Sequence, residues 1–496
     1  MKDRKDWVET DRLDREHRMK VQLRFVLIPL GVIGLLFLLR EAESRPGLFA
    51  NATYLGAILA LELVLACLWR FEKVFFPVTM ACFVVAATGL PLAVETYTLR
   101  WLFLAVGALV GFNLWMRTNR AKHFGMFHLV ALFCVFAALA SASASALPTT
   151  GALKAGSLFL LFLYAGSGGR VALAGREGAF VRGLILACEI LVFFSFVDYF
   201  VGSNTFGNPN NLGAIIGVVA TPILVWAALV AEDRRERRRR YTALALCGVL
   251  LYATVCRAAI VADAIVITAL VIALRRPGLL VRAVFAGALF LEIMAVVNPS
   301  HMGELTDSLT GKFIFKLDGH RSKSGVFGSR ETPWDDTIAA VKQHPWFGTG
   351  FGTSDVGAVD IQGSSIYTVE GSNREHGSSY LAMAEYMGLL GIVPFLFLLV
   401  QVAWAIGRAY GWVRRTGNAS HYAVPFAMVT LAGLIHAGFE DWLFAAGSYL
   451  CVFFWVAAFL LVDLVSEINS PSQVSAPDAF AAFARQGLGQ PTTEAR

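Results

Sequence analysis

Runs of roughly 20 apolar residues, most of them closed off by charged connectors, recur along nearly the whole chain. Within a bilayer only a helix or a closed barrel satisfies its own backbone, so each run is constrained to be a spanning helix. About fourteen runs are readable, centred near residues 32, 58, 84, 108, 136, 162, 191, 221, 249, 266, 290, 397, 430 and 453. The first is short, Phe25 to Leu39, and the sixth is interrupted by Gly166, Gly168 and Gly169. Composition agrees, since 56% of residues are hydrophobic and only 16% charged, whereas soluble domains are about a quarter charged. The expectation is an all-α integral membrane protein with about 12–14 transmembrane helices.

The charge pattern gives those helices an orientation. The connectors that hold Arg70 and Lys73, Arg117 to Lys122, Arg170 to Arg182, Arg234 to Arg240, Arg275 to Arg282, and Arg408 to Arg415 carry 20 basic residues. The alternate short connectors carry five: Arg40, Arg45, Arg100, Lys154 and Arg257. That asymmetry predicts cytoplasmic termini and an outward-facing insert between the eleventh and twelfth spans. The expected organisation is a cytoplasmic tail (1–24), eleven spans (25–297), a mostly helical periplasmic loop domain (298–379), three spans (380–465) and a cytoplasmic tail (466–496). The first span is expected to be retained, because Met1 to Arg24 is too long and too acidic for a signal-peptide n-region.

Two classes are excluded early. The net charge of +6 arises from basic residues clustered between apolar runs, a topology signal rather than a nucleic-acid surface. The seven cysteines lie in or at the ends of apolar runs, so neither a disulfide framework nor zinc-ligand spacing follows. No metal or cofactor is expected.

Candidate chemistry gathers at the outer ends of the later spans. Arg257 stands at an apolar hairpin tip on the side depleted of basic residues, where its charge calls for a local anion, either a phosphate or Asp198. Asn210 or Asn211 is positioned to cap the eighth span or to line a site. In the insert, Arg330 precedes a helix that starts near Pro333 and places Trp334, Ile338 and Val341 on one face. Phe347 to Ser354 is a glycine-rich loop whose Gly350 suits close backbone approach to a ligand or to the membrane surface. His376 stands just before a helix capped by Ser378 or Ser379, where the N-terminal field is expected to lower its pKa and favour an anion. A neutral imidazole there suits general-base work. Glu375 or Glu385 is the next candidate for that base, and Glu440-Asp441 is an acidic pair that either orients the site or is simply solvated.

Four stretches carry a resemblance: Phe206 to Gly213, Cys256-Arg257, Gly328 to Gly352 with His344-Pro-Trp-Phe-Gly-Thr-Gly, and His376 to Gly391. Together they resemble the O-antigen ligase and polymerase family of bacterial polytopic membrane glycosyltransferases. Two positions depart from it: Cys256 where the family commonly has serine, and Gly377 after the histidine where it has asparagine or serine. The resemblance implies an inverting, metal-independent transferase of the GT-C type in the bacterial inner membrane, with a periplasmic site. Its donor would be a glycan on undecaprenyl diphosphate, and its acceptor a hydroxyl of a sugar or lipid-linked sugar. By the same resemblance Arg257 and Arg330 would hold the diphosphate and His376 would activate the acceptor, with Arg374 as a further phosphate contact. Glu385, Asp441, Asn210, Asn211 and Gly350 would line the site. The competing class is a secondary transporter or flippase, which predicts ionisable groups such as Glu189 and Asp263 clustered at the midplane.

Overall fold

The computed structural model describes residues 75–89, 93–117, 125–173, 175–202, 208–278, 328–353 and 376–468, with Phe71, Thr205, Phe206, Val281, Phe285 and Glu292 beside them. The expected spans near residues 32, 58 and 290, both tails, Arg374 and most of the insert lie outside those residues. The described residues form helices and no strand.

In chain order the helices are α1 (Phe75–Ala86), α2 (Ala93–Arg117), α3 (Met126–Ser143), α4 (Pro148–Leu173), α5 (Glu177–Val201), α6 (Pro209–Val230), α7 (Arg234–Thr254) and α8 (Arg257–Ala273). They continue with α9 (Gly328–Gln343), α10 (Ser379–Thr416), α11 (Ala423–His436) and α12 (Tyr449–Glu467). Seven described helices are long and apolar enough to cross a membrane: α3, α4, α5, α6, α10, and the greater part of α2 and α12; α1 and α11 are shorter apolar helices. The chain is an all-α integral membrane protein.

Burial sorts the helices into an inner and an outer set. In α6 and α12 the most apolar window is 83% buried, whereas in α5 and α10 it is 33% and 28% buried. The exposed side chains of the outer helices are large and apolar, including Phe193, Phe194 and Val197 on α5 and Leu396, Phe397 and Val400 on α10. Such a surface would aggregate in water and is the natural outside of a protein solvated by lipid.

Close helix contacts rest on small residues. Gly107 and Gly111 of α2 pack on Tyr164 and Gly168 of α4, and Gly213 and Gly217 of α6 pack on Cys256 and on Ala259 of α8. Both pairs are spaced by four, which aligns them on one helix face and brings backbones together where lipid offers no hydrophobic drive. Tyr164–Gly168 and Ile216–Ala220 are π-helical turns within α4 and α6.

The two ends of the bundle differ in charge. Arg117, Arg170, Arg176, Arg234 to Arg240, Arg275, Arg276, Arg414 and Arg415 fall at helix ends on one side. On that side Arg170 clamps Asp463 with two hydrogen bonds of 2.5 and 2.6 Å, tying α4 to α12. Arg239 reaches the buried Glu189 at 3.1 Å. The opposite end, about 30 Å away along the 21 residues of α7, holds Arg257, α9 and the start of α10.

Candidate active site

Two turns and a broken helix build the site. The turn after α11 folds back over the first residues of α10: Ser379 N donates to Ala437 O (2.9 Å) and Glu440 O (3.0 Å), and Ser379 Oγ donates to Glu440 O at 2.6 Å. Leu443 N returns a bond to the same hydroxyl at 3.0 Å. The residues expected to cap α10 therefore act otherwise. Ser378 occupies the N-cap without a side-chain cap bond, and Ser379 anchors the neighbouring turn. Gly377 adopts φ +65°, and a Cβ there would press on Arg330 and the Trp334 indole at 3.2 Å. Trp334 Nε1 donates to Gly377 O at 3.2 Å.

This arrangement buries His376 completely between two carboxylates. Asp441 Oδ2 accepts from both the His376 backbone N–H (3.2 Å) and ring Nδ1 (2.8 Å). On the other side Nε2 lies 3.4 Å from Glu385 Oε2, within ion-pair range, while Tyr386 packs edge-on against the imidazole with centroids 5.0 Å apart. Burial by itself would lower the imidazole pKa, but hydrogen bonding and charge from Asp441 and Glu385 outweigh it and leave His376 above its ordinary value. The expected lowering by the helix N-terminus is thus overturned, because two full carboxylate charges at contact distance exceed a partial helix charge.

Glu385 is held in place by an interruption of α10. Gly388 breaks the helix with φ 60° and ψ −173°, and the backbone bonds lost there are supplied by the loop after α9. Thr349 N donates to Glu385 O (2.9 Å) and Gly350 N to Tyr386 O (3.1 Å), while Leu389 N and Leu390 N donate to Pro345 O (2.8 Å) and Trp346 O (3.1 Å). Ser141 Oγ adds a bond to Tyr386 O at 2.6 Å. Irregular backbone at membrane depth is tolerated only when protein satisfies it in this way. The glycine-rich loop makes a close backbone approach to a broken helix. Gly350 N donates to the broken segment of α10, and a Cβ there would meet Ser145 and Thr353 Oγ1.

The cations lie alongside. Arg330 NH2 bonds Glu440 Oε1 at 2.5 Å, and its guanidinium interacts electrostatically with that of Arg257, which is partly buried at the first residue of α8. Asp198, offered as a partner for Arg257, accepts from Thr205 N (2.8 Å) and Thr205 Oγ1, fixing the turn after α5. The α6 cap is Asn208, whose side chain accepts from Asn210 N at 2.9 Å, so neither Asn210 nor Asn211 is the cap. Asn210 O accepts from Sγ of Cys256, the residue before Arg257, and Asn211 O accepts from Tyr449 OH at the start of α12. Helix α9 begins at Gly328, five residues before the expected Pro333, and buries Thr337 and Ala340 while Ile338 is exposed.

Lys154, on α4, was missed by the sequence reading of this site. Its ammonium donates to Gly352 O, and its charge interacts with Asp441. The signal was available, because Lys154 is one of five basic residues in the depleted connectors, the same argument that singled out Arg257.

Fold and site define a membrane-embedded protein with a histidine–carboxylate centre flanked by arginines. A family model described as O-Antigen ligase matches residues 242–396, the segment from α7 into α10 that contains Arg257, Arg330, His376 and Glu385. The match supports an O-antigen ligase family assignment and an O-antigen ligase/polymerase-like membrane function. Comparison with curated proteins gives no match.

Proposed function

We propose that the protein is a glycosyltransferase that moves or polymerises glycan from an undecaprenyl-diphosphate donor onto a sugar hydroxyl at the periplasmic face of the bacterial inner membrane. The observation that carries this reading is the Asp441–His376 hydrogen bond of 2.8 Å beside the Arg330 guanidinium. Asp441 accepts from Nδ1 and thereby orients the ring, leaving Nε2 as the nitrogen that takes a proton. In the transfer step Nε2 removes the proton from the acceptor hydroxyl as its oxygen attacks the anomeric carbon. The bond to the diphosphate breaks from the opposite face, with inversion, and the diphosphate leaves with the electron pair. Arg257 and Arg330, with Arg374 and Lys154, offset the charge that develops on it. Glu385 stabilises the imidazolium formed at Nε2, and the guanidinium groups fill the role a metal would otherwise take.

The basic end of the bundle supports a cytoplasmic location for that side and, with it, an outward-facing site. A donor with a long isoprenoid tail would reach it laterally from the lipid. Transporter chemistry gains less support: Glu189, one of its midplane candidates, is engaged by Arg239 from the basic end, whereas Arg257, Arg330 and His376 share the opposite end.

The test is glycan transfer from purified undecaprenyl-diphosphate donor in nanodiscs, with EDTA present. Loss of transfer in His376→Ala, Arg257→Ala and Arg330→Ala, with folding retained, is the expected result, and product length separates ligase from polymerase. Full activity of His376→Ala would remove the assigned base.

A further inference from the structure

His436 is the last residue of α11 and immediately precedes the turn that carries Glu440 and Asp441. It is 1% exposed. Trp442 Nε1 donates to its Nδ1 at 2.9 Å. An indole N–H can only donate, so Nδ1 must be the acceptor and the ring must be neutral, with its proton on Nε2. The surrounding sequence is spent on holding that state. Gly433, one turn earlier, leaves room for the neighbouring rings, since a Cβ there would meet Phe454 at 2.6 Å and Trp442 at 3.4 Å. Trp442 is itself buried and packs against Phe454 at 5.9 Å.

The tautomer so fixed directs a buried Nε2–H donor that has no hydrogen-bond partner among the described residues. An unsatisfied buried donor is costly, a cost that is tolerated where a ligand supplies the acceptor. The ring lies within the electrostatic reach of Arg330 and one short turn from the carboxylates that engage Arg330 and His376. A neutral donor in that position suits an anionic oxygen already neutralised by guanidinium groups, to which it adds direction without adding charge.

We propose that His436 is a donor-binding residue whose Nε2–H hydrogen-bonds a diphosphate oxygen of the lipid-linked donor, with Trp442 as the positioning residue that fixes its tautomer. This rests on the diphosphate-transfer reading above and deepens it. It is tested by binding of undecaprenyl diphosphate to the full-length protein in nanodiscs, together with donor KM and kcat, for wild type, Arg330→Ala, His436→Phe, His436→Gln and Trp442→Phe. Thermal unfolding is followed in parallel. The expected result is a roughly 10- to 100-fold loss of diphosphate affinity in His436→Phe, matching a hydrogen bond to a charged group. That loss should appear in donor KM more than in kcat, with part of it rescued by the amide N–H of His436→Gln. Trp442→Phe, which lets Nδ1 take the proton, should weaken diphosphate binding in the same direction. A 15N spectrum should also show the Nε2–H of His436 shifting on addition of undecaprenyl diphosphate to wild type. If His436→Phe binds undecaprenyl diphosphate as tightly as wild type while Arg330→Ala does not, the His436 proposal fails and the transfer reading stands. If wild type itself shows no affinity for undecaprenyl diphosphate, both fail. Should either His436 variant prove unstable, an unmoved 15N signal in wild type would overturn the proposal on its own.

Discussion

The break in α10 gives the sharpest test of how the fold builds the site. Gly348 sits at φ +72° against the broken segment, and a Cβ added there would come within 2.5 Å of Tyr386 O. Gly348→Ala therefore meets two penalties. A non-glycine residue in the left-handed region costs about 1–2 kcal/mol. The methyl must also push the loop off the backbone of Glu385 and Tyr386, to which Thr349 N and Gly350 N donate. Loss of even one of these buried bonds adds about 1–3 kcal/mol, because the freed carbonyl has no water to turn to. The expected destabilisation is about 2–5 kcal/mol. It should be accompanied by a fall in kcat, since Glu385 is carried on the displaced turn and faces His376 at 3.4 Å. Thermal unfolding in nanodiscs reads the first effect and glycan transfer the second. Gly407→Ala is the control: its helical Cβ position has nothing within 4 Å, and alanine there should be neutral or slightly stabilising. A Gly348→Ala protein with wild-type stability and turnover would refute the idea that the loop sustains the break.

Further outcomes follow from the same contacts. Replacing Glu385 with glutamine removes one of the two carboxylates that hold the His376 pKa up, so the acid limb of the kcat/KM profile should move to lower pH. The stability effect has the opposite sense. A histidine whose folded pKa is raised contributes stability below its unfolded value, about 6.5, and loses it as pH rises through the folded value. Glu385→Gln should consequently destabilise the protein more at pH 5 than at pH 8, and a pH-independent change in unfolding temperature would contradict this. Asp463→Asn breaks the buried pair with Arg170, whose side chains are 7% and 10% exposed, and should cost about 3–5 kcal/mol in unfolding free energy. Glu440→Gln frees Arg330 from its 2.5 Å ion pair and should lower donor KM. A raised KM would mean that Glu440 positions the arginine rather than competing for it.

Much of the fold was legible because membrane solvation leaves few choices. Every expected span that falls within the described residues coincides with a helix, including the weak sixth, where Gly166 and Gly168 lie in a π-helical turn rather than at a helix end. At the site, Arg257 stood out as a charge in a place where charge is costly; the roles of Arg330 and His376 came from the resemblance, and the Glu440-Asp441 pair read equally well as orienting or solvated. What escaped the reading depended on pairings across the chain. The interruption at Gly388 lies in an apolar stretch that reads as unbroken helix, and the bonds that compensate it come from backbone groups of Pro345 to Gly350, which leave no side-chain signature. The raised pKa of His376 escaped for a related reason. The local sequence offers only a helix N-terminus, whereas Asp441 stands 65 positions downstream and is delivered by the turn after α11. Lys154 escaped because it approaches from α4, 198 positions before its partner Gly352.

The turn after α11 separates two tasks that would interfere if one residue performed both. Glu440 meets Arg330 with its side chain, yet its backbone carbonyl is fixed independently by Ser379 N and Oγ. On the proposed reading, a diphosphate that displaced the Glu440 carboxylate from Arg330 would leave the turn in place. Asp441, the next residue, keeps both its bonds to His376 during that exchange, because they depend on the anchored backbone and not on the ion pair. On the proposed transfer, charge exchange with the donor and proton handling at the acceptor would fall to neighbouring side chains on one support. The same logic accounts for the broken helix: Glu385 can face Nε2 only if the first turns of α10 are held apart from the membrane-spanning remainder, and the loop at 345–350 supplies the hydrogen bonds that make such a separation stable.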